Sequence, residues 1–198
     1  GSHQIDLFAW VFGCNPSAVF ASGGVDYYKG REWFDNVMAV YEFQTAEGAA
    51  RAMYQVQTTT KYGGFYEVFM GDDGAIQISE VAQRGNWALR EAHAPEWDSL
   101  VKEGLLLSEA PVIQKVDTKN IFVDVRVTAE AGRWPFPVDL AKPAHQPHLE
   151  NFFDAIRRGT ALTCPASLAY ESAVAVLKVN EAVRTKSLVR FRPGDFKA

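Results

Sequence analysis

A series of strand-like segments with no helix between them is the feature that most restricts the fold of this chain. Residues 37–43 and 50–60 alternate side chains in the manner of strands, and residues 66–70 and 75–79 flank Gly-Asp-Asp-Gly, which has the composition of a hairpin turn. Parallel neighbours need long, usually helical crossovers, so strands that follow each other directly favour an antiparallel sheet. Further strands are predicted at 17–22, 121–128 and 187–191.

Helical periodicity is confined mostly to the two ends of the chain. It predicts a helix over 2–12 that stops at Gly13, and another over 148–158 that stops at Gly159. A last helix begins at Pro165, and a short one is predicted near 97–103, whereas the proline-rich stretch 133–147 is predicted to be extended loop. The predicted apolar stripe of the last helix consists of Leu168, Ser172, Val176, Val179 and Val183.

These elements predict the α+β class, as a single domain over 1–198 with a largely antiparallel open sheet and its helices packed on one face. Aromatic and methionine side chains occur on both sides of the predicted strands. We therefore expect the other face of the sheet to be used for oligomerisation, in a homodimer or a tetramer.

The composition is that of an ordinary globular protein, with 198 residues, 47% of them hydrophobic, and a net charge of -4. The charge argues against nucleic acid as a partner, because a phosphate-binding surface is usually basic. No apolar run approaches the roughly 20 residues that span a bilayer, so no membrane partner is expected. Cys14 and Cys164 are predicted to be two reduced thiols, consistent with a cytoplasmic protein.

No glycine-rich phosphate-binding motif is present. The Gly23-Gly24 pair is followed by Val-Asp-Tyr-Tyr and not by a helix whose N-terminus could face a pyrophosphate. The chain by itself is therefore expected to bind no dinucleotide. His145, His148 and Glu150 do not predict a metal site, because Pro147 breaks the helical spacing and no third ligand is evident.

Several short motifs, in order, carry a resemblance to a known family. These are Gly1-Ser2-His3-Gln4-Ile5-Asp6-Leu7 with Trp10 and Gly13, then Tyr41-Glu42-Phe43, Gly71-Asp72-Asp73-Gly74, His148-Leu149-Glu150-Asn151-Phe152-Phe153-Asp154-Ala155-Ile156-Arg157, Cys164-Pro165, Asn180-Glu181-Ala182 and Phe191-Arg192-Pro193. Together they resemble the C-terminal domain of the glucose-fructose oxidoreductase/inositol dehydrogenase/MocA family. The resemblance extends from Gly1 to about Phe196.

The resemblance implies an NAD(P)-dependent oxidoreductase that acts on a sugar or polyol hydroxyl. It implies a preceding Rossmann domain that holds NAD or NADP and supplies a catalytic lysine, without which this chain is inactive. An amphipathic helix that starts without a linker likewise predicts that the chain begins inside a longer fold.

The resemblance also assigns three residues of this chain. His3 matches the histidine of a catalytic D-x-x-x-H pair, whose aspartate would precede Gly1. Asp6 matches a position that hydrogen-bonds substrate hydroxyls, and Tyr62 lies where family members place substrate-contacting tyrosines, across a gap in the alignment. An imidazole can take up a hydroxyl proton near neutral pH, which agrees with the role of His3.

Less specific interpretations stay open beside these assignments. His3 would otherwise belong to the scar of a cleaved tag, Asp6 would be a solvated helix carboxylate, and Tyr62 would be a turn residue. Two alternative functions also stay open: a non-catalytic assembly module, and a sugar lyase or epimerase of the same family that oxidises its substrate transiently.

Overall fold

The computed structural model describes residues 1–62, 64–81, 84–109, 132–138, 141–143 and 145–197. The chain forms two compact units, of which unit 1 combines Gly1–Tyr62 with His145–Ala198 and unit 2 is Gly63–Ala144. The predicted single domain stays a prediction, and the predicted strand at 121–128 lies outside the described residues.

The elements are α1 (Ser2–Phe12), β1 (Ala18–Gly24), β2 (Asn36–Thr45), β3 (Gly48–Gln57), β4 (Glu67–Met70), β5 (Gly74–Ile78), β6 (Trp87–Arg90), α2 (Asp98–Lys102), β7 (Arg133–Pro135), α3 (Gln146–Arg158), α4 (Ala166–Thr185), β8 (Val189–Arg190) and a closing 3-10 helix (Pro193–Phe196).

Unit 1 is built on a four-stranded antiparallel sheet in the order β3-β2-β1-β8. The inner face of this sheet is apolar, and Tyr41 and Phe43 of β2 are almost completely buried. Helices α1 and α4 cover that face: the rings of Phe12 and Phe43 lie 4.8 Å apart, and the Tyr41 hydroxyl donates a hydrogen bond of 3.1 Å to the Ala175 carbonyl. The α+β class with helices on one face of an antiparallel sheet is therefore confirmed.

The buried face of α4 differs in part from the predicted stripe. Val179 and Val183 are buried as expected, but Leu168 is exposed, and Ala175 and Ala182 are buried instead. Small side chains let the helix backbone approach the sheet closely, so α4 packs with Ala175 and Ala182 toward the sheet and leaves Leu168 exposed.

No described residue of unit 1 covers the outer face of the same sheet. Phe20 pairs across the strands with Val40, and Val40 pairs with Met53, so these three side chains form one row. All three are exposed, as is Met38 in the neighbouring row, with Met53 reaching 71%. A contiguous apolar row of this kind is typical of an interaction surface.

Unit 2 contains a second four-stranded antiparallel sheet in the order β4-β5-β6-β7. Its small core combines Ala88, Leu106 and Trp134, with the Trp97 ring 5.9 Å from that of Trp134. The predicted Gly-Asp-Asp-Gly turn is confirmed, since the Gly71 N–H donates to the Gly74 carbonyl at 2.8 Å. The predicted loop at 133–147 is wrong at both ends, because β7 occupies its start and α3 begins at Gln146.

Helix α3 has the predicted apolar stripe but buries none of it in the part of the chain that the structure describes. Leu149, Phe152, Phe153 and Ile156 are all exposed, between 45% and 67%. The helix ends at Gly159, whose φ of 69° is left-handed and suits glycine. No helix among the described residues is both long enough and apolar enough to cross a membrane.

Candidate functional site

Helix α1 carries two of the three residues to which the sequence assigns a role. Ile5 and Phe8 are buried and anchor the helix on the sheet, whereas His3 is exposed one turn before Asp6. The helix ends at Gly13, where φ is 65°. Because one face of α1 is fixed in the core, His3 and Asp6 lie near each other on a helix that cannot rotate freely.

Asp6 is held by a neighbouring helix. The Ser172 hydroxyl of α4 donates a hydrogen bond to one carboxylate oxygen of Asp6. A second link lies nearby, where the Asn15 amide donates to the Glu171 carboxylate at 2.6 Å. Asp6 is thus more than a solvated helix charge, and its second oxygen makes no hydrogen bond to any described residue.

Tyr54 is a candidate that the sequence interpretation did not single out. It lies on the inner face of edge strand β3, and a β-carbon on Gly1 would be only 2.8 Å from its hydroxyl oxygen. This places the Tyr54 hydroxyl against the first turn of α1, which carries His3. Burial raises the pKa of Tyr54, so the hydroxyl keeps its proton. Because residues two apart in a strand lie on the same face, its spacing from Ala52 and Val56 could have shown that it faces inward.

Tyr62 lies apart from this cluster. It is 93% exposed at the end of the segment after β3, and its backbone N–H is bonded to the Thr60 hydroxyl at 3.1 Å. Among the described contacts, none joins Tyr62 to α1. Its substrate-binding role stays a prediction.

The described residues do not fit a dinucleotide. All the strand pairs are antiparallel, so they form no parallel switch point of the kind that holds such a cofactor. Gly23 and Gly24 lie within β1 itself, paired with β2, and do not lead into a helix. Within the same described ranges, no three histidine, cysteine or acidic side chains form a group that could hold a metal ion.

No family model matches the chain. No curated protein matches it either. Solved structures do match over almost its whole length. One is an NAD-binding protein from Listeria innocua, 18% identical with a TM-score of 0.59, where the match covers 96% of this chain and 50% of the other.

Two further matches are enzymes. An aldose-aldose oxidoreductase from Caulobacter crescentus, determined with glycerol, is 13% identical with a TM-score of 0.63, over 96% of this chain and 46% of the other. The WlbA dehydrogenase from Bordetella pertussis, determined with NADH and UDP-GlcNAcA, is 15% identical with a TM-score of 0.52, over 96% and 43%. This chain has the fold of an oxidoreductase domain. It spans about half the length of the structures that it matches.

Proposed function

We propose that this chain is the C-terminal substrate-binding and oligomerisation domain of an NAD(P)-dependent oxidoreductase of the glucose-fructose oxidoreductase/inositol dehydrogenase/MocA family. Its substrate would be a sugar or polyol hydroxyl. The observation that carries the proposal is a match over 96% of this chain to only about half of an NAD-binding protein and of two oxidoreductases. The proposal includes a cytoplasmic location, in line with the two unpaired cysteines.

The nucleotide cofactor is assigned to a companion N-terminal domain, because the described residues of this chain do not fit it. Exposed apolar side chains support the need for a companion. Trp10 of α1 is 79% exposed, and the described residues of unit 1 do not cover the apolar stripe of α3. Side chains of this size are usually covered in a complete protein, since each buried one contributes about 1.5–3 kcal/mol.

The contribution of this chain to catalysis would be the handling of a proton and the orientation of hydroxyl groups. His3, exposed on the first turn of α1, would accept the proton of the hydroxyl that is oxidised. Asp6 would accept a hydrogen bond from a neighbouring substrate hydroxyl through the carboxylate oxygen that Ser172 does not use. The chain without its companion domain would be inactive, because it supplies neither the hydride acceptor nor the lysine.

The test is to join the chain to the segment that precedes it in its gene and to compare the two forms. Calorimetric titration with NAD and NADP should show binding to the joined protein alone. A panel of aldoses and polyols should then give reduced nicotinamide with at least one substrate. In that reaction, His3→Ala should lower kcat by about 10²–10⁴-fold.

The matched control is His93→Ala, which removes an exposed histidine of unit 2 and should leave the turnover unchanged. Two results would refute the proposal: no nicotinamide binding by the joined protein, or full turnover in the His3 variant. A substrate that is converted with no net reduction of nicotinamide would instead identify the lyase or epimerase chemistry.

Oligomerisation is proposed through the outer face of the unit 1 sheet, with a second copy of the chain as the partner. The row Phe20–Val40–Met53 is self-complementary in chemistry, and two-fold pairing of identical faces is the commonest form of oligomer. Met53→Lys should lower the mass measured by sedimentation, whereas Arg184→Lys, a charge-conserving change at an exposed position of α4 and so on the opposite side of the sheet, should not.

This face also supports the second candidate function, a non-catalytic assembly module. The two functions differ in whether the joined protein binds nicotinamide. An assembly module would oligomerise normally and would never bind nicotinamide when joined to its upstream segment.

A further inference from the structure

The chain contains three methionines, and all of them are exposed in strands. Met38 of β2 is 50% exposed, Met53 of β3 is 71% exposed and Met70 of β4 is 83% exposed. The thioether sulfur is the atom of this side chain that peroxides oxidise, and susceptibility to oxidation follows exposure. Each of the three thioethers is therefore within reach of a dissolved oxidant in the single chain.

Two of these methionines lie side by side on the outer face of the unit 1 sheet. Met53 pairs with Val40 across the strands, and Met38 lies two positions before Val40, so it is on the same face of β2. Diagonal neighbours in an antiparallel pair are close enough for long side chains to meet. With Phe20, these residues are the large apolar side chains that the unit 1 strands expose on this face.

Oxidation would make this apolar face polar. A hydroperoxide transfers one oxygen atom to the thioether sulfur, so an S–O bond forms while the O–O bond breaks. The sulfur loses two electrons, and hydrogen peroxide is reduced to water. The product is methionine sulfoxide, a polar group that accepts hydrogen bonds. Burying such a group between two apolar surfaces removes its hydration, and a surface of apolar side chains offers no donor in exchange.

We propose that Met38 and Met53 are oxidation sites, and that their conversion to sulfoxides by a hydroperoxide prevents this face from associating with a second copy of the chain. The inference rests on the proposed oligomerisation and is independent of the chemistry at His3. Because a two-fold interface contains each residue twice, oxidation of both methionines places four sulfoxides in one interface. Association covers the same thioethers, so assembly and oxidation compete for this face.

The first test measures the oxidation rate of each methionine in the whole chain. One sample is dilute enough for sedimentation to show protomers, and the other is concentrated enough to show the oligomer. Both receive the same excess of hydrogen peroxide, and digestion with mass spectrometry follows each site. Met38 and Met53 should oxidise about fivefold more slowly or less in the oligomer, whereas Met70 of unit 2 should react at one rate in both samples.

The second test measures the dissociation constant of the oligomer by sedimentation before and after complete oxidation. Oxidation should raise the dissociation constant about 100-fold or more, because four acceptors would be buried without donors. Treatment with methionine sulfoxide reductases should restore the parent value. The melting temperature of the protomer should stay unchanged, since neither thioether belongs to the core.

Two variants serve as controls. Met38→Leu/Met53→Leu keeps the face apolar and nearly conserves its volume, so it should associate like the parent and should not respond to peroxide. Met70→Leu should respond like the parent. Both variants keep Cys14 and Cys164, so an effect of thiol oxidation would persist in the double variant and would contradict the assignment.

The remaining outcomes separate this inference from the proposed oligomerisation. An oxidised oligomer of unchanged affinity would overturn the inference and leave the proposed interface in place. Equal oxidation rates of Met38 and Met53 in protomer and oligomer would show that the interface lies elsewhere, which would refute both. A parent chain that remains a protomer at every concentration would also refute both.

Discussion

The bond between Ser172 and Asp6 can be measured by a double-mutant cycle, and it decides whether the carboxylate is positioned. Hydrogen bonds to charged groups contribute about 1.5–3 kcal/mol when buried, but both side chains here are only partly buried. Allowing for solvent screening, we expect a coupling free energy of about 1 kcal/mol. Asp6→Ala and Ser172→Ala should each lower the free energy of unfolding by about that amount. The double variant should lower it by about the same amount as either single variant, and not by the sum of the two.

The assay is urea unfolding of the two single variants, the double variant and the parent chain, followed by circular dichroism. The slope m should stay constant, so that midpoint shifts report the free energy of unfolding. The control cycle pairs Asp6→Ala with Thr45→Ala, whose hydroxyl bonds only within the β2–β3 turn and should act independently. If the first cycle is additive within about 0.3 kcal/mol, the carboxylate is not held by α4 and its orientation for a ligand has no structural basis.

Three further predictions concern the scaffold of unit 1. Tyr41→Phe should lower the free energy of unfolding by about 1 kcal/mol in the same urea assay, because it removes only the bond to the Ala175 carbonyl from a buried site. Gly23→Ala should cost about 1–3 kcal/mol, since its β-carbon would lie 2.3 Å from the Asn36 carbonyl oxygen, whereas Gly30→Ala meets nothing within 4 Å and should cost far less. In the loop between β1 and β2, hydrogen bonds from the Tyr28 N–H group and the Asn36 amide hold the pKa of the buried Asp35 below its ordinary value of 3.8, so the stabilisation is complete above that value and is lost as the pH falls below it. Trp33 fluorescence should report this acid transition in the parent chain and not in Asp35→Asn, and a transition common to both would contradict the assignment.

The sequence predicted the elements whose limits are set by local chemistry. Helix α1 was predicted at its observed limits because Gly13 ends it, and the end of α3 was predicted because Gly159 follows. Hairpin β4–β5 was predicted from its turn. In each case a few adjacent residues determine the backbone, so pattern and structure agree.

Elements that depend on distant partners were not predicted. Strands β6 and β7 have four and three residues, too few for alternation to be recognised, and they are set by pairing with each other across more than 40 residues of chain. The buried face of α4 was only partly correct, since the sheet selects it. Likewise, no local pattern marked Asp35 as the buried centre of its loop, or Tyr54 as a neighbour of α1, because burial is a property of the fold.

Strand β8 gives unit 1 an unusual dependence on the end of the chain. Val189 pairs with Val19, so a strand from the beginning of the chain is closed by one made about 170 residues later. During synthesis, α4 and β8 emerge after all of unit 2, and until then the inner face of the nascent sheet is without its main helix. Contacts so far apart in sequence form slowly, because closing a long loop costs chain entropy first. The order of synthesis therefore leaves Val19 and Tyr41 without the cover of α4 until the end of the chain is made, and a chaperone that acts on this protein would be expected to bind there.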